Sequence, residues 1–318
     1  MPTIFGSEKV IIQQISEVKL RSYLVGFDIQ DDNTYKYRFS HLINLLQSAL
    51  PEFAFGFHEG EVIPISQSIN LICEAANAIY KIDEFKEAKK IYIDGNSNIG
   101  DDDIDKKYLK RGEFGELILH LLLRDYYETI PLLSKIYFKD SLGVPVHGFD
   151  AVHIHPATRT LWLGESKLYT NGQKGVEALI EDIESHFKHD YLNQEFTLIS
   201  KKIKHLPADN IPEKEYWLDL MDRNQTLKNV ISSINIPLIC TYSSELFTKY
   251  NNEEDLDFLK EYEQEVRSLL QHFDTKNLHP LKTQLNFILL LFPVQSKNEL
   301  VKRMHKKLYT LQGIYDDE

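Results

Sequence analysis

The stretch VHGFDAVHIHPATRTLWLGESKLY, residues 146–169, decides the fold. It reads as two short strands joined by a turn, each rich in apolar, β-branched and aromatic residues. Side chains two apart on a strand share a face. Glu165 and Lys167 therefore sit with Leu161 and Leu163, and Asp150 sits with Val152 and Ile154. The simplest registration turns both apolar sets inward and lets Asp150, Glu165 and Lys167 converge at one end of the sheet. The opposite parity carries Phe149, Ala151 and His153, then Trp162, Gly164 and Ser166.

Three charged groups at the end of an apolar face are costly unless they are paired or bind a metal. Asp150 and Glu165 offer hard oxygens suited to Mg²⁺, with Mn²⁺ as a substitute and the backbone carbonyl of Ser166 as a third ligand. Such an ion stabilises charge developing on a phosphate. Lys167 is placed to orient an attacking water or to offset phosphoryl charge. Glu116 or Glu113, from the preceding helix, would complete the set. Glu116 is preferred because GELILHL places it beside the buried stripe. E-x-K by itself is common, and an exposed pair of this kind contributes only ~0–1 kcal/mol. The weight lies in the order: acid-bearing helix, strand with G-F-D, turn, apolar strand ending in E-S-K, helix.

Composition narrows the alternatives. The chain has 318 residues, 42% apolar and 26% charged, in the range of ordinary globular proteins. Its formal net charge of −12 argues against coating nucleic acid by bulk electrostatics, so DNA affinity would come from a local patch or a partner. Cys73 and Cys240 are too few for a disulfide framework or a four-cysteine zinc site, and both read as buried thiols. His147, His153 and His155 hint at zinc, but no second cluster completes a tetrahedral set and His153 and His155 alternate away from Asp150. They read as solvated or as neighbours of the ligands. The phosphate-binding patterns GxxxxGK[ST] and GxGxxG are absent, as is G-x-S-x-G. No signal peptide or membrane span is expected, and the reading is cytoplasmic.

The remaining elements follow from periodicity. Residues 9–30 read as strands. Residues 39–50 read as a helix, with Ser40 as N-cap and Pro51 as stop, followed by a strand or loop at PEFAFGF. Residues 66–81 form a second helix pattern with Ile69, Ile72, Cys73, Ala76 and Tyr80 inward. The Asp-, Asn- and Gly-rich segment 94–105 reads as a linker or solvated loop. Residues 107–124 make an amphipathic helix on which Glu113, Glu116 and His120 share a face, and a further helical stretch runs over 125–135 before the strand KIYF. After the hairpin come a helix at 171–188, polar helices over 190–230, a strand at 236–243, a helix at 251–273, a strand at 283–294 and a helix at 296–312. That last helix has Ser296 and Glu299 in capping-box spacing and a basic end at Lys302, Arg303, His305, Lys306 and Lys307. The sum is an α/β fold, a mixed sheet flanked by helices, with residues 1–95 an N-terminal α+β segment, partner-binding or continuous with the core, and 96–318 the core.

GFD at 148–150, WLGESK at 162–167 and the preceding RGEFGELILHLLL at 111–123 resemble the PD-(D/E)xK nuclease superfamily, with a restriction-endonuclease-like core. More narrowly, the chain is similar to the HamA family, the small subunit of bacterial Hachiman anti-phage systems. The resemblance implies a DNA-cleaving effector held in complex with a superfamily-2 helicase, HamB, and no membrane. It implies Asp150 and Glu165 as site acids, Lys167 as the lysine and Glu116 or Glu113 as the helix acid. Phe149 stands where the motif's proline would be, a common departure. The alternative is a catalytically inactive adaptor that keeps the nuclease fold and binds a helicase or nucleic acid. DNA and RNA are not distinguished by this chemistry.

Overall fold

The computed structural model describes residues 3–56, 65–79, 112–133, 148–205, 211–222 and 224–314. The expected loop at 94–105, the strand KIYF, and the basic residues Lys106, Lys107, Lys110 and Arg111 lie outside the described residues. So does the expected boundary near residue 95.

Among the described residues, seven strands make one mixed sheet. In chain order they are β1 (Ile11–Ser16), β2 (Leu20–Val25), β5 (Ile130–Pro131), β6 (Ala151–His155), β7 (Thr160–Tyr169), β8 (Ile234–Ser243) and β9 (Asn286–Val294). The spatial order is β1-β2-β9-β8-β7-β6-β5. The central pairs β2–β9, β9–β8 and β8–β7 are parallel, and antiparallel pairs close both edges. The N-terminal strands β1 and β2 thus extend the same sheet as the hairpin. A separate ribbon pairs β3 (Phe27–Ile29) with β4 (Tyr35–Tyr37).

Central parallel strands are covered on both faces and need continuous apolar sequence. FILLLF in β9 is buried throughout, as is most of β8. One face is covered by α3 (Glu113–Tyr127), with α1 (Phe39–Phe55) and α2 (Ile65–Ile79) behind it. The other carries α4 (Gly172–His186) and the long helix Leu256–Lys276. A β-carbon at Gly164 would stand 2.8 Å from Leu119 Cδ2 and 3.3 Å from Ala151 Cβ and Pro237 Cγ, so glycine lets α3 lie close on β7.

Several boundaries differ from the sequence expectation. Helix α1 runs through Pro51 to Phe55, and PEFAFGF is largely helix. Leu46, Ala49, Leu50, Phe53 and Ala54 are all buried, so burial of the continuing apolar stripe outweighs the one hydrogen bond that proline forfeits. Ser40 lies inside that helix; its N-cap is Arg38, with no side-chain cap. Ile69 on α2 is 61% exposed, while Cys73, Ala75, Ala76 and Ile79 face inward. Residues 125–127 finish α3, and the chain then enters β5 instead of a second helix. The polar region 190–230 resolves into α5 (His189–His205), α6 (Lys214–Leu220) and α7 (Leu227–Ile231). After α8 (Leu246–Lys249) come α9 (Leu256–Lys276) and α10 (Lys297–Gly313), the latter capped by Ser296, whose side chain accepts from Glu299 N–H.

Candidate functional site

The hairpin registers Ala151 against Gly164 and Val152 against Leu163, so Asp150 stands across from Glu165. Strand β7 outruns β6 at this end. The Asp150 carboxylate takes over where the ladder stops: its Oδ2 accepts from Ser166 N–H at 2.8 Å and from Ser166 Oγ at 3.1 Å. Ser166, expected to lend its carbonyl to a metal, thus also orients Asp150 through its N–H and hydroxyl.

Glu165 is 2% exposed, and Lys167 is half-buried two residues further along the same face. Both meet α4. His186 Nδ1 lies 2.6 Å from Glu165 Oε1, and Lys167 Nζ lies 2.5 Å from Asp182 Oδ2. Asp182 and His186 are four apart, so one side of one helix holds both residues of the E-x-K. Sequence reasoning missed this pair. Its signal was the i, i+4 spacing beside the inward stripe Leu179, Ile183 and Phe187. Tyr191 stacks on the His186 ring at 4.7 Å, and its buried hydroxyl has no hydrogen-bond partner among the described residues.

Burial pushes the Glu165 carboxyl well above its ordinary range, and the charges of Asp150, Asp182 and Glu116 push it further; Lys167 opposes them. For Lys167 burial acts downward, but the Asp182 hydrogen bond and the charges of Asp182, Asp150 and Glu165 outweigh it and hold the ammonium above its usual value. Glu116, in the first turn of α3, is 7% exposed and acts electrostatically on Glu165, whereas Glu113 is half-buried. Four carboxylates therefore share this region with one lysine and one histidine. Hard oxygen donors in excess of local positive charge are chemically suited to a divalent cation. Among the described residues, no three His, Cys, Asp or Glu side chains already stand at metal-holding distances. Three groups are tied elsewhere: Asp150 to Ser166, Glu165 to His186 and Lys167 to Asp182.

His153 departs from the expectation of a solvated or ligand-neighbouring ring, while half-buried His155 accepts from Thr158 N–H and His147 lies outside the described residues. His153 is buried on the α3 face, its Nε2 3.3 Å from His120 Nδ1 and its Nδ1 2.9 Å from Thr129 Oγ1. His120 Nε2 lies 3.2 Å from Glu52 Oε1, and Glu52 receives Arg124 at 2.5 and 3.1 Å. Burial, helped by His120 and Arg124, drops His153 well below the usual imidazole range. This cluster ties α1, α3 and β6 together. It is a packing device built around two buried imidazoles, and only the fold brings its members within reach.

A family model, HamA, matches residues 4–308, and the chain belongs to that family, the Hachiman defence protein family. No curated protein and no solved structure matches the chain. Among the described residues no helix is long and apolar enough to cross a membrane.

Proposed function

We propose that this HamA-family chain is a Mg²⁺-dependent deoxyribonuclease with a PD-(D/E)xK core, the DNA-cleaving effector of its defence system, controlled by the partner helicase HamB. The carrying observation is the cross-strand placement of Asp150 beside Glu165, with Lys167 on the same face and Glu116 acting on Glu165 from α3. Bound there, the ion would supply Lewis-acid stabilisation of the phosphate. Asp150 and Glu165 would hold it, with Glu116 the further acid.

The chain's own groups divide the work. Ser166 keeps Asp150 at the strand end. His186 can donate to Glu165 while no cation is present, which blunts a buried charge that would otherwise be destabilising. Asp182 keeps Lys167 protonated and on the α4 side, from which its ammonium can turn to a phosphoryl oxygen. The apolar wall of Phe149 and Phe187 limits water behind these groups.

The test is cleavage of supercoiled and linear DNA by the purified chain, alone and with its helicase partner, in Mg²⁺ or in EDTA. Glu165→Gln and Lys167→Ala should each abolish metal-dependent cleavage while leaving the far-UV spectrum unchanged. Cleavage retained in both variants refutes the assignment. If no cleavage occurs with the partner present and alanine at these positions leaves defence intact, the chain is the adaptor instead.

A further inference from the structure

A second concave feature lies apart from these residues. A pocket of about 590 Å³ is lined by β3 and β4, the start of α1, α8 and the start of α10. Its wall is aromatic. Tyr37 meets Phe27, Phe39 and Phe247 with centroids 5.8, 4.6 and 5.3 Å away, and Tyr35 at the mouth is 48% exposed. Its charged lining has an excess of one positive group, Lys36, Arg38 and Arg303 against Asp28 and Glu299. On a chain of net charge −12 this is a local reversal of sign. Arg303 comes from the second turn of α10, not from a basic end as the sequence suggested, its guanidinium 5.1 Å above Phe39 and 2.6 Å from Glu299. Helix α1 opens here with no side-chain cap, so the positive end of a 17-residue helix also faces the pocket.

The location adds to the chemistry. The pocket sits where β2, β9 and β8 end, and Lys167 lies two residues from the end of β7. The strand order β2-β9-β8-β7 places the two regions along one rim of the sheet. At about 4.8 Å per strand, the separation across that rim is roughly 15 Å. Aromatic faces flanked by cations bind unpaired nucleotides of any sequence, because bases stack while phosphates pair with lysine and arginine. A rigid duplex does not fit a concavity of this size.

We infer that this pocket is a sequence-tolerant subsite for single-stranded nucleic acid, stacking bases on Tyr35 and the neighbouring rings and holding phosphates with Lys36, Arg303 and the N-terminus of α1. It deepens the nuclease reading and rests on it: the subsite would hold a strand whose continuation crosses the rim to Asp150 and Glu165. Affinity of the chain alone would lie in the non-specific range, about 10⁻⁴–10⁻⁶ M, consistent with a helicase delivering the strand.

The test is fluorescence anisotropy of a labelled oligothymidylate with the full chain in EDTA, where cleavage cannot contribute. Tyr35→Ala and Lys36→Glu, both at exposed positions, should each weaken binding about tenfold, and Lys36→Glu should also flatten the salt dependence. Lys260→Glu, an equal charge change on α9, should leave binding unchanged. Wild-type affinity in both pocket variants, or equal loss in Lys260→Glu, overturns the inference and leaves the pocket to a protein partner. Failure of the nuclease reading shows separately, as absent Mg²⁺-dependent cleavage by wild type while binding in EDTA still depends on Tyr35 and Lys36.

Discussion

Replacing Glu165 by glutamine should change how the protein's stability responds to both pH and Mg²⁺. Glu165 is buried, and Asp150, Asp182 and Glu116 raise its proton affinity. A carboxyl that binds its proton more tightly in the folded than in the unfolded chain makes stability fall as pH rises, from near its ordinary value of 4.5 up through the raised one. Lys167 is also raised, so its contribution is complete below its ordinary 10.5 and is lost only at higher pH. At about pH 6 and about pH 8 the difference between wild type and Glu165→Gln isolates this carboxyl from the other titrating groups, Glu195 and His153 among them. Glutamine keeps the shape, removes the titration and should flatten the slope. A cation that binds only the folded chain adds about 2.7 kcal/mol at a hundred times its dissociation constant. Roughly 2.1 cal/mol/K of unfolding entropy per residue over 318 residues gives about 0.67 kcal/mol/K, so the rise in Tm is about 4 °C. In Glu165→Gln it should shrink to about 1 °C or less. The assay is scanning calorimetry in EDTA and in Mg²⁺ at both pH values. A wild-type melt that ignores saturating Mg²⁺, or a variant that keeps the full shift, would falsify the metal assignment.

Lys167→Ala should lose cleavage but keep the Mg²⁺-induced rise in Tm, because an ammonium is no ligand; loss of the thermal shift as well would place the lysine in metal binding. Asp182→Asn should bring the Lys167 ammonium down toward its ordinary value, read from the titration of its ¹⁵Nζ signal; an unmoved titration sinks the pairing of these two groups. Gly164→Ala should lower stability by about 1–3 kcal/mol through overpacking against Leu119, a fall in Tm of roughly 2–4 °C, and no fall means that α3 can shift freely. His153, held below its ordinary 6.5, makes the wild type lose stability as pH falls beneath that value, since the unfolded chain takes up the proton first. His153→Leu should reduce that loss, measured by urea unfolding at about pH 7.5 and about pH 5.5, while lowering stability at the higher pH by roughly 1–3 kcal/mol through the stranded His120 Nδ1.

The hairpin was legible because alternation is a local property. Strand parity alone put Asp150 and Glu165 on one face, and the registered pairs agree. The strong strands β8 and β9 were equally clear, since a continuous apolar run has few other uses. Helix ends were less so. Pro51 reads as a stop only if local propensity decides, and here the burial of Phe53 and Ala54 decides instead. His120 and His153 are 33 residues apart and carry no shared motif, so their contact could not be read in advance.

Residue order by itself therefore determined the alternating hairpin, the parity of its charges, the α/β class and the narrower resemblance to the HamA family, which the match over residues 4–308 bears out. Tertiary structure alone decided which groups those charges meet. Asp182 and His186 reach Lys167 and Glu165 only because α4 packs across β7, and Glu116 acts on Glu165 only because Gly164 lets α3 lie close on the other face. The reason is physical. Periodicity fixes the direction of a side chain relative to its own element, whereas the proton affinity of Glu165 depends on the distance to charges on other elements and on the water that packing removes.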